Sequence, residues 1–353
     1  MTPSDAGRAA PSDPVSAGRD GAGRAAPPVA IGIIGAGRHA AALADHQAPL
    51  GDVRIARWAA SPGGTDLSVI REMAVRIEAP FARDWEAVAR DPGIPAVLVL
   101  SETAGATVAA EAALGAGKIV FCAAPTATRT EEVNRLAGAA AGGRGVLLAG
   151  GAIRHSPAGR EALRLIGGDE LGPLHSLFGS VRLPMTGNGD RSAQRAVLEE
   201  AGWDLLDFIV AATPAQPSRV HAQVDALFGS GTPDTAVCII RFENDLIATI
   251  EIARCLPPSV PAAAEGEIEI EVIGGRGAVR LEPAATAVGV YGPVTALRPW
   301  LDAPVISMLH ELAAAAGGRT PGTDGVVEVR RSVALMEAIR AAAARPAAGP
   351  ESG

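Results

Sequence analysis

Lysine is almost missing from this chain: Lys118 is the single one among 353 residues, and arginine carries the rest of the positive charge. Lys118 precedes an apolar, strand-forming run, which sets it at the end of that strand away from any cleft, so a proton relay built on lysine is excluded. Cysteine is scarce too. Cys122, Cys238 and Cys255 are odd in number, lie in or beside apolar runs and lack metal-ligand spacing; they read as buried thiols in a reducing compartment, with no metal site. Basic residues are outnumbered, 31 against 39 acidic ones for a net charge of −8, which argues against a nucleic-acid partner. No apolar core of a signal peptide opens the chain, and no later run is long enough to span a bilayer. The expectation is a soluble, cytoplasmic protein with a small-molecule partner, no nucleic acid and no membrane.

What is present is organised in blocks. Residues 1–28 are nearly all Ala, Gly, Pro, Ser, Asp and Arg, with AGRAAP occurring twice, a composition expected to be disordered. From 29 to 150, short apolar runs (Ile31 to Ile34, Val53 to Ala59, Val97 to Leu100, Ile119 to Cys122) alternate with helical stretches, which implies a doubly wound parallel sheet. Thr128 and Glu131 form a capping-box pattern for the helix that follows. From 151 to 344 strands dominate, and the alternation Glu267-Ile268-Glu269-Ile270-Glu271-Val272 predicts a strand with glutamates on one face and branched residues on the other. The fold class expected is an α/β Rossmann domain followed by an α+β domain with an open, mostly antiparallel sheet; residues 345–353 form a second tail.

Gly35-Ala36-Gly37-Arg38-His39-Ala40 is a GxGxxA turn between a predicted strand and helix. Gly35 allows the tight turn, Gly37 the approach of a diphosphate, and Ala40 close helix packing, with the next helix offering N–H groups to phosphate. An NAD-preferring fold usually ends its second strand in Asp or Glu, whereas this chain has Ala59-Ala60-Ser61. Without that carboxylate a 2′-phosphate meets no repulsion and can accept hydrogen bonds from Ser61 and Arg38, which favours NADP within an NAD(P) assignment; a lost adenosine site fits the same residues.

Several spaced segments, GIIGAG at 32–37, AALGAGKIVFCAAP at 112–125, IRHSP at 153–157, LGPLHS at 171–176, RFENDLIATIEIA at 241–253 and IEVIGGRGAVRL at 270–281, resemble the Gfo/Idh/MocA family over residues 29–340. That resemblance implies NAD(P)-dependent oxidation or reduction of sugars, polyols or similar compounds, with the second-domain sheet used for homo-oligomerisation. It also exposes departures. The family's Glu-Lys-Pro at the end of the strand before the second crossover corresponds to Ala123-Ala124-Pro125, and its Asp-xxx-His to Glu200 and Asp204, with Asp207 matching a later aspartate. The loop Ser101-Glu102-Thr103 stands where the family has Thr-Pro-Asn, and Ser101 is a cofactor-contact candidate.

Proton transfer then falls to other groups. Glu200 and Asp204 are four apart, so one helix would carry both carboxylates on one face, where repulsion and burial would raise a pKa; a solvated acidic face explains the same spacing. His155 is a substitute base or a polar loop residue. Arg154, Arg182 and Trp203 are substrate-contact candidates, together with Asn188, Asp190 and Arg191 of the loop after Arg182. Three functions fit: an NAD(P)-dependent oxidoreductase on a sugar-like or other small hydroxy or carbonyl compound with a non-standard proton relay, a non-redox acid–base enzyme on the same fold, and a non-catalytic nucleotide-binding or scaffold protein.

Overall fold

Ile31, Ile33, Ile34, Val97, Leu98, Val99 and Phe121 are each fully buried, as strands covered on both faces require. They belong to β1 (Val29–Ile34), β4 (Ala96–Val99) and β5 (Ile119–Ala123), which with β2 (Val53–Ala59), β3 (Phe81–Ala82) and β6 (Val146–Gly150) form a parallel sheet of order β3-β2-β1-β4-β5-β6. This computed structural model describes residues 27–345 except 47, 65–66, 101–104, 124, 186–195, 229–230, 258–265, 283–286, 292–295, 300–302 and 322–323, and leaves out the side chains of 287–288 and 296–299. Most of both expected tails, together with Ser101, Glu102, Thr103, Ala124, Asn188, Asp190 and Arg191, lie outside the described residues. Because β1 pairs with β2 on one side and β4 on the other, the strand order reverses there and opens a crevice at the strands' carboxyl ends.

Helices α1 (Arg38–Ala44) and α2 (Leu67–Arg76) cover one face of this sheet, and α3 (Trp85–Arg90), α4 (Gly105–Gly115) and α5 (Thr130–Gly143) the other. The cap of α5 is shifted by one residue from its expected place. Glu132, not Glu131, accepts the N–H groups of Thr128 (2.7 Å) and Arg129 (3.2 Å), because the helix starts at Thr130 and its third residue is the one that reaches back.

After β6 come α6 (Ala152–His155), α7 (Pro157–Gly167), β7 (Leu174–Pro184), α8 (Val197–Glu200), α9 (Gly202–Ala212), β8 (Pro217–Asp225), β9 (Thr235–Phe242), β10 (Ile247–Leu256), β11 (Glu267–Gly274), β12 (Gly277–Leu281), β13 (Ala287–Tyr291) and β14 (Ala296–Pro299). These strands make a second sheet of order β14-β13-β12-β11-β7-β10-β9-β8, in which only β7 and β10 run parallel. One face packs on α9: a Cβ at Gly179 of β7 would lie 2.7 Å from Leu205, so glycine is what lets the helix sit this close. The other face is open. Along β11, Ile270 and Val272 are buried while Glu269 pairs on the open side with Arg280 (2.6 Å), as the alternation predicts.

The chain's last helices return to the first sheet. Val305, Met308, Leu309 and Leu312 of α10 (Pro304–Ala316) join the core of Ile31, Ile33, Leu98 and Phe121. The first sheet's core therefore draws on residues far beyond position 150. Helix α11 (Gly325–Ala343) starts against β6, where a Cβ at Gly325 would meet the Leu147 carbonyl at 2.3 Å, and buries Val329, Val333 and Met336 in the core that also holds α9. Among the described residues no helix is long and apolar enough to cross a membrane.

Candidate active site

At the crevice, the turn from β1 into α1 is held by backbone geometry. Gly35 has φ +113° and Gly37 φ +122° with ψ −170°, a region essentially reserved for glycine. The Trp58 indole N–H donates to the Gly35 carbonyl (2.9 Å) and the Gly35 N–H to the Ala59 carbonyl (2.8 Å), so β2 fixes the turn. No side chain caps α1, and Ala40 is fully buried, as close packing behind the turn demands; His39 is buried beside it. At the end of β2, Ala59, Ala60 and buried Ser61 present no carboxylate. Left-handed glycines and an uncapped first turn fit the diphosphate of a dinucleotide, while the β2 end offers its ribose no carboxylate. Arg38 departs from its expected role at a 2′-phosphate: its guanidinium turns to α9 and ion-pairs with Asp204.

Asp204 and Asp207 both point from α9 to the start of α6. Asp204 Oδ1 accepts the Ala152 N–H (2.9 Å) and Asp207 Oδ2 the Gly151 N–H (2.9 Å). A Cβ at Gly151 would stand 2.3 Å from Asp204 Oδ1, so this contact needs glycine. Arg154 lies between Asp207 (3.5 Å) and Glu328 of α11 (2.5 Å), buried in a network that ties α6, α9 and α11 together. Burial pushes the Asp207 carboxyl up to about 7, against the pull of Arg154 and the Gly151 N–H. Arg154 is thereby occupied by internal ion pairs, with about a tenth of its side chain exposed.

Glu200 and Asp204 do not share a helix. Ala201 ends α8 and precedes α9, and each carboxylate takes its own arginine: Glu200 pairs with Arg254 of β10 (2.5 Å), which also donates to the Pro184 carbonyl (3.3 Å). The expected pair of repelling carboxylates is thus replaced by two separate ion pairs. Glu200 keeps 37% of its side chain exposed, against 4% for Asp204.

The other candidates are placed elsewhere or neutralised. His155 is buried edge-on to Phe121, ring centroids 5.0 Å apart, and burial with the charge of Arg154 lowers its pKa to about 3, so it stays neutral and takes up no proton near neutral pH. Trp203 is fully buried and donates its indole N–H to the Ala127 carbonyl (2.7 Å), a packing role that leaves no face for substrate. Arg182 lies on the open face of the second sheet between Glu251 (4.0 Å) and Glu267 (3.7 Å), opposite the face that carries α9. Lys118 is at the amino end of β5, donating to the Asp91 carbonyl (2.6 Å), and burial pushes the Cys122 thiol up to about 12, which leaves it unreactive. Among the described residues no group of three or more His, Cys, Asp or Glu is placed to hold a metal ion. Sequence reasoning missed Trp58 and Arg254. Arg254 had a signal: it interrupts the apolar end of β10 with a charge that needs a partner inside.

Comparison with known proteins adds to this geometry. Residues 29–150 match an oxidoreductase family with an NAD-binding Rossmann fold, and residues 160–280 match a GFO/IDH/MocA C-terminal domain. Inositol 2-dehydrogenase 3 of Saccharopolyspora erythraea is 28% identical over 254 residues, 67% of this chain and 72% of that protein. Among solved structures, UDP-N-acetylglucosamine 3-dehydrogenase from Acidithiobacillus ferrooxidans is similar with TM-score 0.70 and 21% identity, over 89% of this chain and 97% of its own. A levoglucosan dehydrogenase solved with NADH and levoglucosan gives TM-score 0.73 and 19% identity over 90% and 97%.

Proposed function

The chain belongs to the GFO/IDH/MocA oxidoreductase family, and on that premise we propose that it is an NAD(P)-dependent oxidoreductase acting on a hydroxyl or carbonyl carbon of a sugar-like small molecule. The observation that carries the reading is the Gly35–Gly37 turn, held by Trp58 at the strand-order reversal and facing the acidic helices of the second sheet. A bound nicotinamide would accept hydride from a hydroxyl carbon or give it to a carbonyl carbon; the protein's own part is to hold the diphosphate at this turn and to take up or give the proton. Ser61, with no carboxylate beside it, favours NADP. The names of the relatives specify a cyclic polyol and sugar derivatives, which supports the substrate class.

Glu200 is the proton carrier in this reading. Of the three acid–base candidates it is the one that reaches solvent, and Arg254 fixes its carboxylate. The family's lysine and histidine are replaced by alanine and Asp204, so the relay is non-standard. The commitment of Asp204 to Arg38 and the neutrality of His155 favour a second reading, nucleotide binding without hydride transfer. We also infer a cytoplasmic homo-oligomer joined through the open sheet face, where Val237, Ile239 and Ile247 are exposed; light scattering on the purified protein tests this. A panel of cyclitols, aldoses and their oxidised forms, followed by the near-ultraviolet absorbance of the nicotinamide, tests the main reading. Turnover of one member is expected, and saturable cofactor binding with no turnover anywhere selects the second.

A further inference from the structure

Arg38 and Asp204 come from opposite walls of the crevice, one directly after Gly37 on the nucleotide turn and the other from α9, yet their side chains meet. Asp204 is almost fully buried, and its second oxygen already holds the Ala152 N–H. The guanidinium next to the turn is therefore neutralised by a fixed internal anion. We propose that Asp204 sets the affinity for the dinucleotide by competing with its diphosphate for Arg38, so that the ion pair is a latch between the nucleotide turn and the second sheet's helix. The proposal rests on the nucleotide reading of the turn. Arg38 gives a phosphate its undivided charge by leaving Asp204, which then keeps a buried charge with the Ala152 N–H as its remaining partner; that loss is subtracted from whatever Arg38 gains.

Asp204→Asn separates these contributions. The amide oxygen still accepts the Ala152 N–H, so α6 stays capped, while the charge that holds Arg38 is gone. Fluorescence titration of the full chain with NADH and NADPH is expected to show binding about tenfold tighter in Asp204→Asn than in the wild type, the scale of one lost charge-assisted hydrogen bond. In Arg38→Gln the guanidinium is lost to both competitors, so affinity stays within about threefold of wild type. Adding Asp204→Asn to Arg38→Gln then changes nothing further. Equal tightening with and without Arg38 would mean that Asp204 merely repels the diphosphate, and would overturn the latch. An unchanged or weaker affinity in Asp204→Asn overturns it too, as does a drop of about tenfold or more in Arg38→Gln, which would show Arg38 serving the nucleotide uncontested. If Asp204→Asn does not fold by near-ultraviolet circular dichroism, Arg38→Gln alone decides. No binding in any of the proteins removes the nucleotide reading itself and the latch with it, a result distinct from binding that ignores Asp204.

Discussion

The nucleotide turn and the α6–α9 junction form two walls of one crevice, and they use their residues in opposite ways. At the turn, backbone does the work: Gly35 and Gly37 hold left-handed conformations, and the Trp58 and Ala59 contacts fix them without a titratable group. At the junction side chains do it, and Asp204, Asp207 and Arg154 are consumed by internal partners. A site built from backbone keeps its ligand-facing N–H groups whatever surrounds it. A constellation of side chains turns structural once its charges find partners within the protein, and Glu200, still partly exposed, is the group this process has left nearest to solvent.

The junction's charges give the largest expected effects. His155, with its pKa lowered from 6.5 to about 3, leaves the unfolded chain holding a proton that the folded one lacks between those values, so its contribution to stability rises with pH there. Asp207, raised from 3.8 to about 7, works the other way: the folded chain holds the extra proton, and stability falls as pH rises through that window. The two cancel between about pH 4 and 6.5. Asp207→Asn should unmask His155 as a rise of about 1.4 kcal/mol per pH unit over that range relative to wild type, and His155→Gln should produce a relative fall of similar size. Urea unfolding midpoints across pH measure both, and parallel curves in all three proteins would contradict the assignment.

Replacing Arg154 by Met leaves Asp207 and Glu328 buried without their cation and should cost roughly 3–5 kcal/mol in urea unfolding. At the solvent side, Glu200→Gln should lower turnover by about 10²-fold or more with cofactor affinity nearly unchanged, a loss in kcat that packing damage alone would not confine to chemistry. The turn wall is expected to respond more gently. Ser61→Asp places a carboxylate at the end of β2 and should shift the ratio of NADPH to NADH affinity about tenfold towards NADH; an unchanged ratio would move the ribose away from Ser61.

The same contrast decides what was legible before the structure. GxGxxA is contiguous, its residues are demanded by backbone geometry, and the strand ahead of it is apolar throughout, so the Rossmann half and its turn could be read directly. The alternation in β11 was equally plain, since period two fixes which face holds Glu269 and which holds Ile270. Two-residue β3 is too short to show a period, and α10, though apolar enough to predict as a helix, gives no local sign that it will complete the first sheet's core. The junction was half legible. Arg154, Glu200, Asp204 and Asp207 stand out in the sequence, but what each charge does depends on partners 52 to 174 positions away: Asp204 on Arg38 and Ala152, Arg154 on Glu328. Spacing suggested one acidic face for Glu200 and Asp204, and the break at Ala201 separated them. Arg182 and Trp203 read as contacts because the stretch from Arg182 to Arg191 leads toward the junction, yet Arg182 lies on the open sheet face and Trp203 is fully buried.

Equilibrium titration of the purified full chain with NADPH and NADH, alongside Gly37→Val, decides whether the turn holds a dinucleotide. Saturable binding of at least one dinucleotide by the wild type is expected, with binding lost in Gly37→Val while circular dichroism shows the fold kept, because φ +122° with ψ −170° admits only glycine at the turn. No binding by the wild type and by Asp204→Asn, or binding that survives Gly37→Val unchanged, would contradict it.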